Sequence, residues 1–331
     1  MVCLCGRTIF KNMYTLISHN SRTISYNLWR RFPEEELYDQ ISSYSTFNSM
    51  IQSLSRAENS SSVDLLRSRF AGFLGDVTLT DEDAKKDADI LTSEGVLLKR
   101  DHHKPCYRMS SPLVDGLIRN RLIPAIFQNA PSSPIPLQQT GDVDFLGILV
   151  ESLKFFDKAL ISTASSCSFK MPKVKTHGSP GGCVPRKSVY DTELMRILSN
   201  WLRKSCWAVI GQCHLKGSSK RHKYSDIVLK KGNQTIVLEL LATGEPSSVT
   251  SHIQKTPGYA TLLSASEAWV VHFTRQVDYK PIWQSNTDLS QNINVVHFAH
   301  DLRFTNVVMS ARWKDCAGET QEVEGKLLPL D

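Results

Sequence analysis

The stretch YSDIVLKKGNQTIVLELL, Tyr224 to Leu241, sets two apolar runs on either side of a Gly232-Asn233 turn, and each run carries one carboxylate. Asp226 opens the first run, and Glu239 sits inside Val-Leu-Glu-Leu-Leu, where a buried strand has no apolar use for an acid. A hairpin with Asp226 near the start of one strand and Glu239 near the end of its partner brings the two side by side. Mg²⁺ is usually held by one or two such carboxylates plus water and phosphate. Glu193, in the helix before the hairpin, can add a third. Glu193, Asp226 and Glu239 would then hold a metal that orients water against a phosphodiester and stabilises the developing charge. The structural alternative leaves Glu239 on an exposed strand edge and makes Asp226 a hairpin cap.

The surrounding residues extend this reading toward nucleic acid. The run KGSSKRHKY just before Asp226 supplies Lys216, Lys220, Arg221 and Lys223 as a phosphate-contacting loop, each contact adding to a salt-dependent affinity. Its alternative is a solvated loop. GGCVPRKS (181–188) ends like a phosphate-binding loop, but it lacks the glycine before lysine, and Pro185 removes a backbone N–H. ATP is therefore not an expected partner. His102, His103 and Cys106 lack a second ligand pair at zinc spacing and read as a turn. Trp201 and Trp207 read as core.

The elements that must position these groups fall in three stretches. Residues 1–127 form a helical region, with a helix over 34–57 and a winged helix-turn-helix over 63–127. In the latter, VDLLRSRFAGFL is a helix, and LTDEDAKKDADILTSEG is a second, capped by Thr80 with Asp83 three residues on and stopped by Gly95. VLLKR, DHHKP and CYRM are strand, turn and strand, and SPLVDGLIRNRLIPAIF is again helix. The acidic second helix repels phosphate, so DNA binding by this region does not follow. Residues 128–187 are a Pro/Ser/Gly-rich linker with one helix, FLGILVESLKFFDKAL. Residues 188–331 form an α/β domain. It runs through helix VYDTELMRILSNWLRKS, strand CWAVIGQCHL, the Asp226–Glu239 hairpin, helix SSVTSHIQKTPGYATLLS, and strands EAWVVHFT and INVVHFAHDL.

The order of helix glutamate, hairpin aspartate and (D/E)xK-like strand resembles the PD-(D/E)xK nuclease superfamily, and the 13-residue Asp-to-Glu spacing suits it. The resemblance implies a restriction-endonuclease-like fold. It also implies nucleic-acid contacts from Gln254 and Tyr259 in HIQKTPGY, which is similar to the glutamine-tyrosine helix of some branches. The family lysine falls at Leu241, which cannot position or deprotonate water. Either a basic group such as His252 or Lys255 substitutes, or the site binds without cutting. An imidazole, which titrates near neutral pH, makes His252 the preferred replacement. More closely, SDIVL…IVLELLATGEPSSVTSHIQKTPGYATLLSASEAWVVHFT resembles the C-terminal domain of Crinkler-type proteins, modular proteins of oomycetes and fungi. CLCGR and YRMSSPLVDGLI resemble the part between their P-loop ATPase and that domain, so the likeness spans most of the chain with the ATPase missing. It implies an effector or toxin-like module acting in a nucleus, a host's if secreted, with DNA and host nuclear proteins as partners. The expected activity is weak Mg²⁺-dependent nicking at most. The competing reading is a catalytically inactive protein-interaction module on the same folds.

Bulk properties agree with this without demanding it. The chain has 331 residues, 41% hydrophobic and 22% charged, and a net charge of +6, which permits a nucleic-acid partner. Eight scattered cysteines without a CxxC read as reduced thiols of an intracellular protein. The opening MVCLCGRTIFKNMYTLI lacks a signal-peptide apolar core and reads as a chain that begins inside a larger architecture. No run approaches the roughly 20 apolar residues of a membrane span, so no membrane partner is expected.

Overall fold

A computed structural model describes residues 34–101, 105–167, 175–176, 179–180, 182–215, 223–283 and 293–330. The fold is mixed α/β, and the chain divides into two compact units. One is Met1–Leu65 with Leu74–Ile126, the other Leu66–Phe73 with Phe127–Asp331.

The first unit is helical with a small sheet. α1 (Glu34–Ser42) and α2 (Ser45–Leu54) replace the single helix expected over 34–57. The break falls at Ser43 and Tyr44, where Tyr44 turns extended. α3 is Ser60–Leu65. β1 (Val77–Thr78), unforeseen in the sequence, pairs with β3. α4 (Glu82–Ser93) is capped by Asp81, whose carboxylate accepts from Ala84 N at 2.8 Å, and not by Thr80. A carboxylate at that end also meets the positive pole of the helix dipole. Gly95 follows the helix at φ +77°, as a stop signal requires. β2 (Leu97–Asp101) and β3 (Pro105–Met109) pair antiparallel, and α5 (Pro112–Leu117) continues in helical turns to Ile126. The core is Ile41, Phe47, Leu54, Val77, Leu91, Tyr107, Leu117 and Ile123, all nearly inaccessible. His102 and His103 lie outside the described residues, and Cys106 is a buried residue of β3.

The second unit holds a sheet of seven strands. The stretch expected as a linker with one helix carries two, α6 (Phe145–Leu153) and α7 (Lys158–Cys167). They are separated because Asp157 caps the second, accepting from Leu160 N at 3.0 Å. Phe145, Leu149, Phe156 and Ile161 lie in the same apolar cluster as the sheet, so this stretch belongs to the core. A short hairpin of β4 (Lys175–Thr176) and β5 (Ser179–Pro180) precedes α8 (Lys187–Leu202). The sheet follows: β6 (Ala208–Leu215), β7 (Lys223–Lys231) and β8 (Gln234–Leu241) form an antiparallel meander. α9 (Pro246–Leu263) then leads to β9 (Glu267–Thr274), parallel to β8, and β10 (Ile293–His300) lies parallel to β9. β11 (Val307–Lys314) and β12 (Thr320–Leu328) extend the far edge antiparallel.

Alternation across the sheet explains its two faces. Ile227, Leu229, Leu238 and Leu240 pack with α8 residues Leu194, Ile197 and Trp201, and Trp207 joins them. Val228, Val237, Leu241 and Val270 face α9, with Val249, Ile253 and Tyr259. Each fully buried side chain of this kind contributes about 1.5–3 kcal/mol. Among the described residues no helix is long and apolar enough to cross a membrane.

Candidate active site

The β7–β8 register pairs Ile227 with Leu238, so the next step places Asp226 beside Glu239. On the other side, Gly211 and Cys213 of β6 pair with Ile227 and Ser225, so Gln212 stands opposite Asp226. Gln212, Asp226 and Glu239 thus form a polar row across three neighbouring strands, and cross-strand neighbours share a face. Both acids are almost wholly buried, at 3% and 2% exposure.

Each carboxylate is held by groups from different elements. Asp226 Oδ1 contacts Lys187 Nζ from the first turn of α8 and accepts from Gln212 Nε2 at 3.2 Å. Asp226 Oδ2 accepts from the backbone N–H of Leu240 at 2.8 Å. Glu239 Oε1 accepts from Lys255 Nζ of α9 at 2.7 Å and lies 3.0 Å from His252 Nδ1, a contact outside hydrogen-bond geometry. Lys255 Nζ also reaches His252 Nε2 at 3.4 Å. The acids form a buried floor and the bases an open rim, since the Lys187 and Lys255 side chains are 39% and 35% exposed.

Burial and the neighbouring Glu239 charge raise the carboxyl of Asp226 above its usual range, and Lys187 offsets this only in part. Burial also opposes ionisation of Glu239, but His252 and Lys255 outweigh it and hold that carboxyl low. Burial disfavours the Lys187 ammonium, yet Asp226, Asp191 and Glu239 together hold it above its usual range. Lys187 is therefore a fixed positive charge and not a proton acceptor at neutral pH.

Among the described residues two buried atoms of the site lack a hydrogen-bond partner, His252 Nδ1 and Glu239 Oε2. A buried carboxylate oxygen without a partner is costly unless a cation meets it. Two carboxylates with one such oxygen fit a Mg²⁺ that keeps water and phosphate as its other ligands.

Glu193 does not join them. It lies two residues beyond Asp191 on α8, is wholly buried, and both oxygens are engaged elsewhere. Arg67 reaches Oε1 at 2.8 Å, Arg196 reaches Oε1 and Oε2 at 3.2 and 2.9 Å, and Asp157 N donates to Oε2 at 3.0 Å. The α8 carboxylate near the site is Asp191, which accepts from Gln212 Nε2 at 3.1 Å.

Sequence reading passed over Lys187, Asp191 and Gln212. The spacing of Lys187 and Asp191, i and i+4 on one helix, puts both on one face and was the available signal. Leu241 is buried among Val249, Ile253, Val270 and Val295, so apolar packing fills the position two residues after Glu239 where a (D/E)xK motif would carry lysine. On α9, Gln254 is exposed, whereas Tyr259 is 9% exposed and packs with Leu215, Val228 and Val237. Burial, then Glu239 and Asp226, raise the Tyr259 hydroxyl. Lys216, Lys220 and Arg221 lie outside the described residues, and Lys223 opens β7. No protein-family model, curated protein or solved structure matches the chain.

Proposed function

We propose that the second unit is a restriction-endonuclease-like module that binds DNA and cleaves it slowly with Mg²⁺ held by Asp226 and Glu239. The observation that carries this reading is the buried Asp226–Glu239 pair, flanked by two lysines, with Glu239 Oε2 lacking a hydrogen-bond partner among the described residues. The element order around it, one helix, a three-strand meander, a second helix and a parallel strand, agrees with that fold. The first unit, helices followed by the β2–β3 hairpin, agrees with a winged helix. The Crinkler-type affiliation, the nuclear setting and host nuclear partners belong to the same proposal and rest on the sequence motifs.

A bound Mg²⁺ would supply a Lewis acid and an activated water at neutral pH. Lys187, kept charged, stabilises negative charge building on the phosphate. Lys255 clamps Glu239 and the His252 ring, so the imidazole is held in one orientation beside the carboxylate. With no lysine at Leu241, a free amine for proton abstraction is missing there, and general acid–base groups are worth roughly 10²–10⁴-fold in rate. The reading therefore includes slow turnover.

Supercoiled plasmid incubated with Mg²⁺ or Mn²⁺ tests it, with wild type beside Glu239→Gln, Lys187→Ala and His252→Ala. Nicking should vanish in Glu239→Gln and fall about 10²-fold or more in Lys187→Ala. A further loss in His252→Ala would make the imidazole the substitute base. Equal activity in all four would mean a contaminant and sink the claim. Replacing Lys216, Lys220, Arg221 and Lys223 together by alanine should weaken duplex binding and flatten its salt dependence, because fewer counterions are released. An unchanged slope would remove that loop from the binding surface.

One observation favours the interaction-module reading: the two lysines already balance Asp226 and Glu239 without a metal. DNA binding with no cleavage in any variant would leave a binding module, and neither binding nor cleavage a protein-interaction one.

A further inference from the structure

Gln212 sits in the middle of β6, an edge strand, with a left-handed backbone at φ +53°. Left-handed residues at Cys206 and Ser264 end helical segments, where that conformation is usual. In mid-strand it is strained for a residue with a Cβ, and the ladder shows the consequence. Pairing runs from Gly211–Ile227 to Cys213–Ser225 and lapses at Gln212–Asp226 between them. What the strain gains is the direction of one amide: the two hydrogens on Gln212 Nε2 are directed at Asp226 Oδ1 and Asp191 Oδ2, at 3.2 and 3.1 Å. Strain of this kind persists where surrounding structure enforces it, and it gathers at functional sites.

We infer that Gln212 is a positioning residue of the Asp226–Glu239 site, turned by its left-handed backbone so that its amide fixes the Asp226 carboxylate against α8. The inference rests on the proposed cation-binding role of Asp226 and Glu239. A neutral amide suits the task. It holds Asp226 Oδ1 in place beside Lys187 without adding a second positive charge that would oppose a divalent cation. The same nitrogen bridges Asp226 to Asp191, a third carboxylate. Outer hydrogen-bond partners of metal-binding carboxylates are typically worth 10–100-fold in metal affinity.

The full chain tests this through Mn²⁺ binding and thermal unfolding measured on the same samples. Gln212→Gly removes both the amide and the strain, because glycine accepts φ +53° freely. Its unfolding temperature should equal or exceed that of wild type, while its Mn²⁺ dissociation constant rises 10–100-fold. Gln212→Asn tolerates the backbone but carries an amide one methylene short, so it should bind as weakly as the glycine variant. A structural residue would lower the unfolding temperature, and a bystander would leave Mn²⁺ affinity alone; either result overturns the inference. Glu239→Gln separates this from the underlying reading. If wild type takes up no Mn²⁺, or Glu239→Gln binds as well as wild type, the site reading fails and the inference with it. If Glu239→Gln loses Mn²⁺ and Gln212→Gly keeps it, the inference alone fails.

Discussion

Glu193 is enclosed by two guanidinium groups, with Arg67 1% exposed and Arg196 2% exposed around a carboxylate at 0%. Burial opposes its charge, and Arg67 and Arg196 outweigh that and hold its carboxyl below the usual range. It is a structural anion, and its removal would take from two buried guanidinium groups the carboxylate they share. Glu193→Ala is expected to cost about 3–5 kcal/mol, read from urea unfolding, with Mn²⁺ affinity of the surviving folded protein unchanged. A loss of Mn²⁺ affinity at wild-type stability would return Glu193 to the site. The sequence could not separate this glutamate from Asp191, because each residue advances a helix by about 100° and two residues turn the side chain to another face. Which face meets the sheet edge is decided by packing. Asp226 and Glu239, by contrast, were legible, because an acid inside an otherwise apolar strand is a local anomaly that needs no tertiary knowledge.

Among the elements, the buried strands read best from sequence. β8 and β9 are covered on both faces along nearly their whole length, and their continuous apolar runs say so. β12 was invisible for the opposite reason: TQEVEGKLL is largely exposed, and its strand character comes from pairing with β11. β9 and β10 also bring together two histidines the sequence reading passed over. His272 and His297 are register partners, and their Nδ1 atoms lie 3.1 Å apart. Tyr279 OH is 3.1 Å from the same His297 nitrogen, whose Nε2 faces Ile282 O at 3.1 Å. Burial pushes the His297 imidazole down to about 4, although Ile282 O works against the shift. A folded value below the unfolded one means that the unfolded chain binds the proton more readily. The contribution to stability is present above about pH 6.5 and is lost as pH falls from there toward 4. Between pH 7 and pH 5 this group should remove about 2 kcal/mol of stability. Urea midpoints of wild type and His297→Gln at the two pH values check it: the wild type should lose that much more than the variant. Equal losses would show that His297 does not carry the dependence.

At the scale of the whole molecule, the second unit is not a continuous piece of sequence. Leu66–Phe73 belongs to it although residues 74–126 belong to the first. No feature of the sequence marks that boundary, because Leu66–Phe70 follows α3 directly as helix, with Ala71 N bonded to Leu66 O at 2.9 Å. Three of its residues explain the affiliation. Arg69 O accepts from Arg186 Nη1 at 3.2 Å, and the Arg186 guanidinium lies 3.7 Å over the Phe73 ring. Arg67 lies 3.7 Å over the Phe127 ring and bonds to both Glu193 and Asp157, at 2.8 and 3.1 Å. A fragment of residues 127–331 keeps every strand of the seven-stranded sheet but loses all three. It should be less stable than the same unit in the full chain by at least about 3 kcal/mol, from the broken buried ion pair and the uncovered apolar surface. Five of the chain's six tryptophans lie at positions 201–313, so tryptophan fluorescence during urea unfolding reports mainly on this unit in both proteins. The fragment should unfold at a lower urea concentration, and Arg67→Ala in the full chain should fall between the two. A fragment that unfolds at the same midpoint as the full chain would show that Leu66–Phe73 adds nothing to this unit and that the domain boundary lies where the linker sequence suggests.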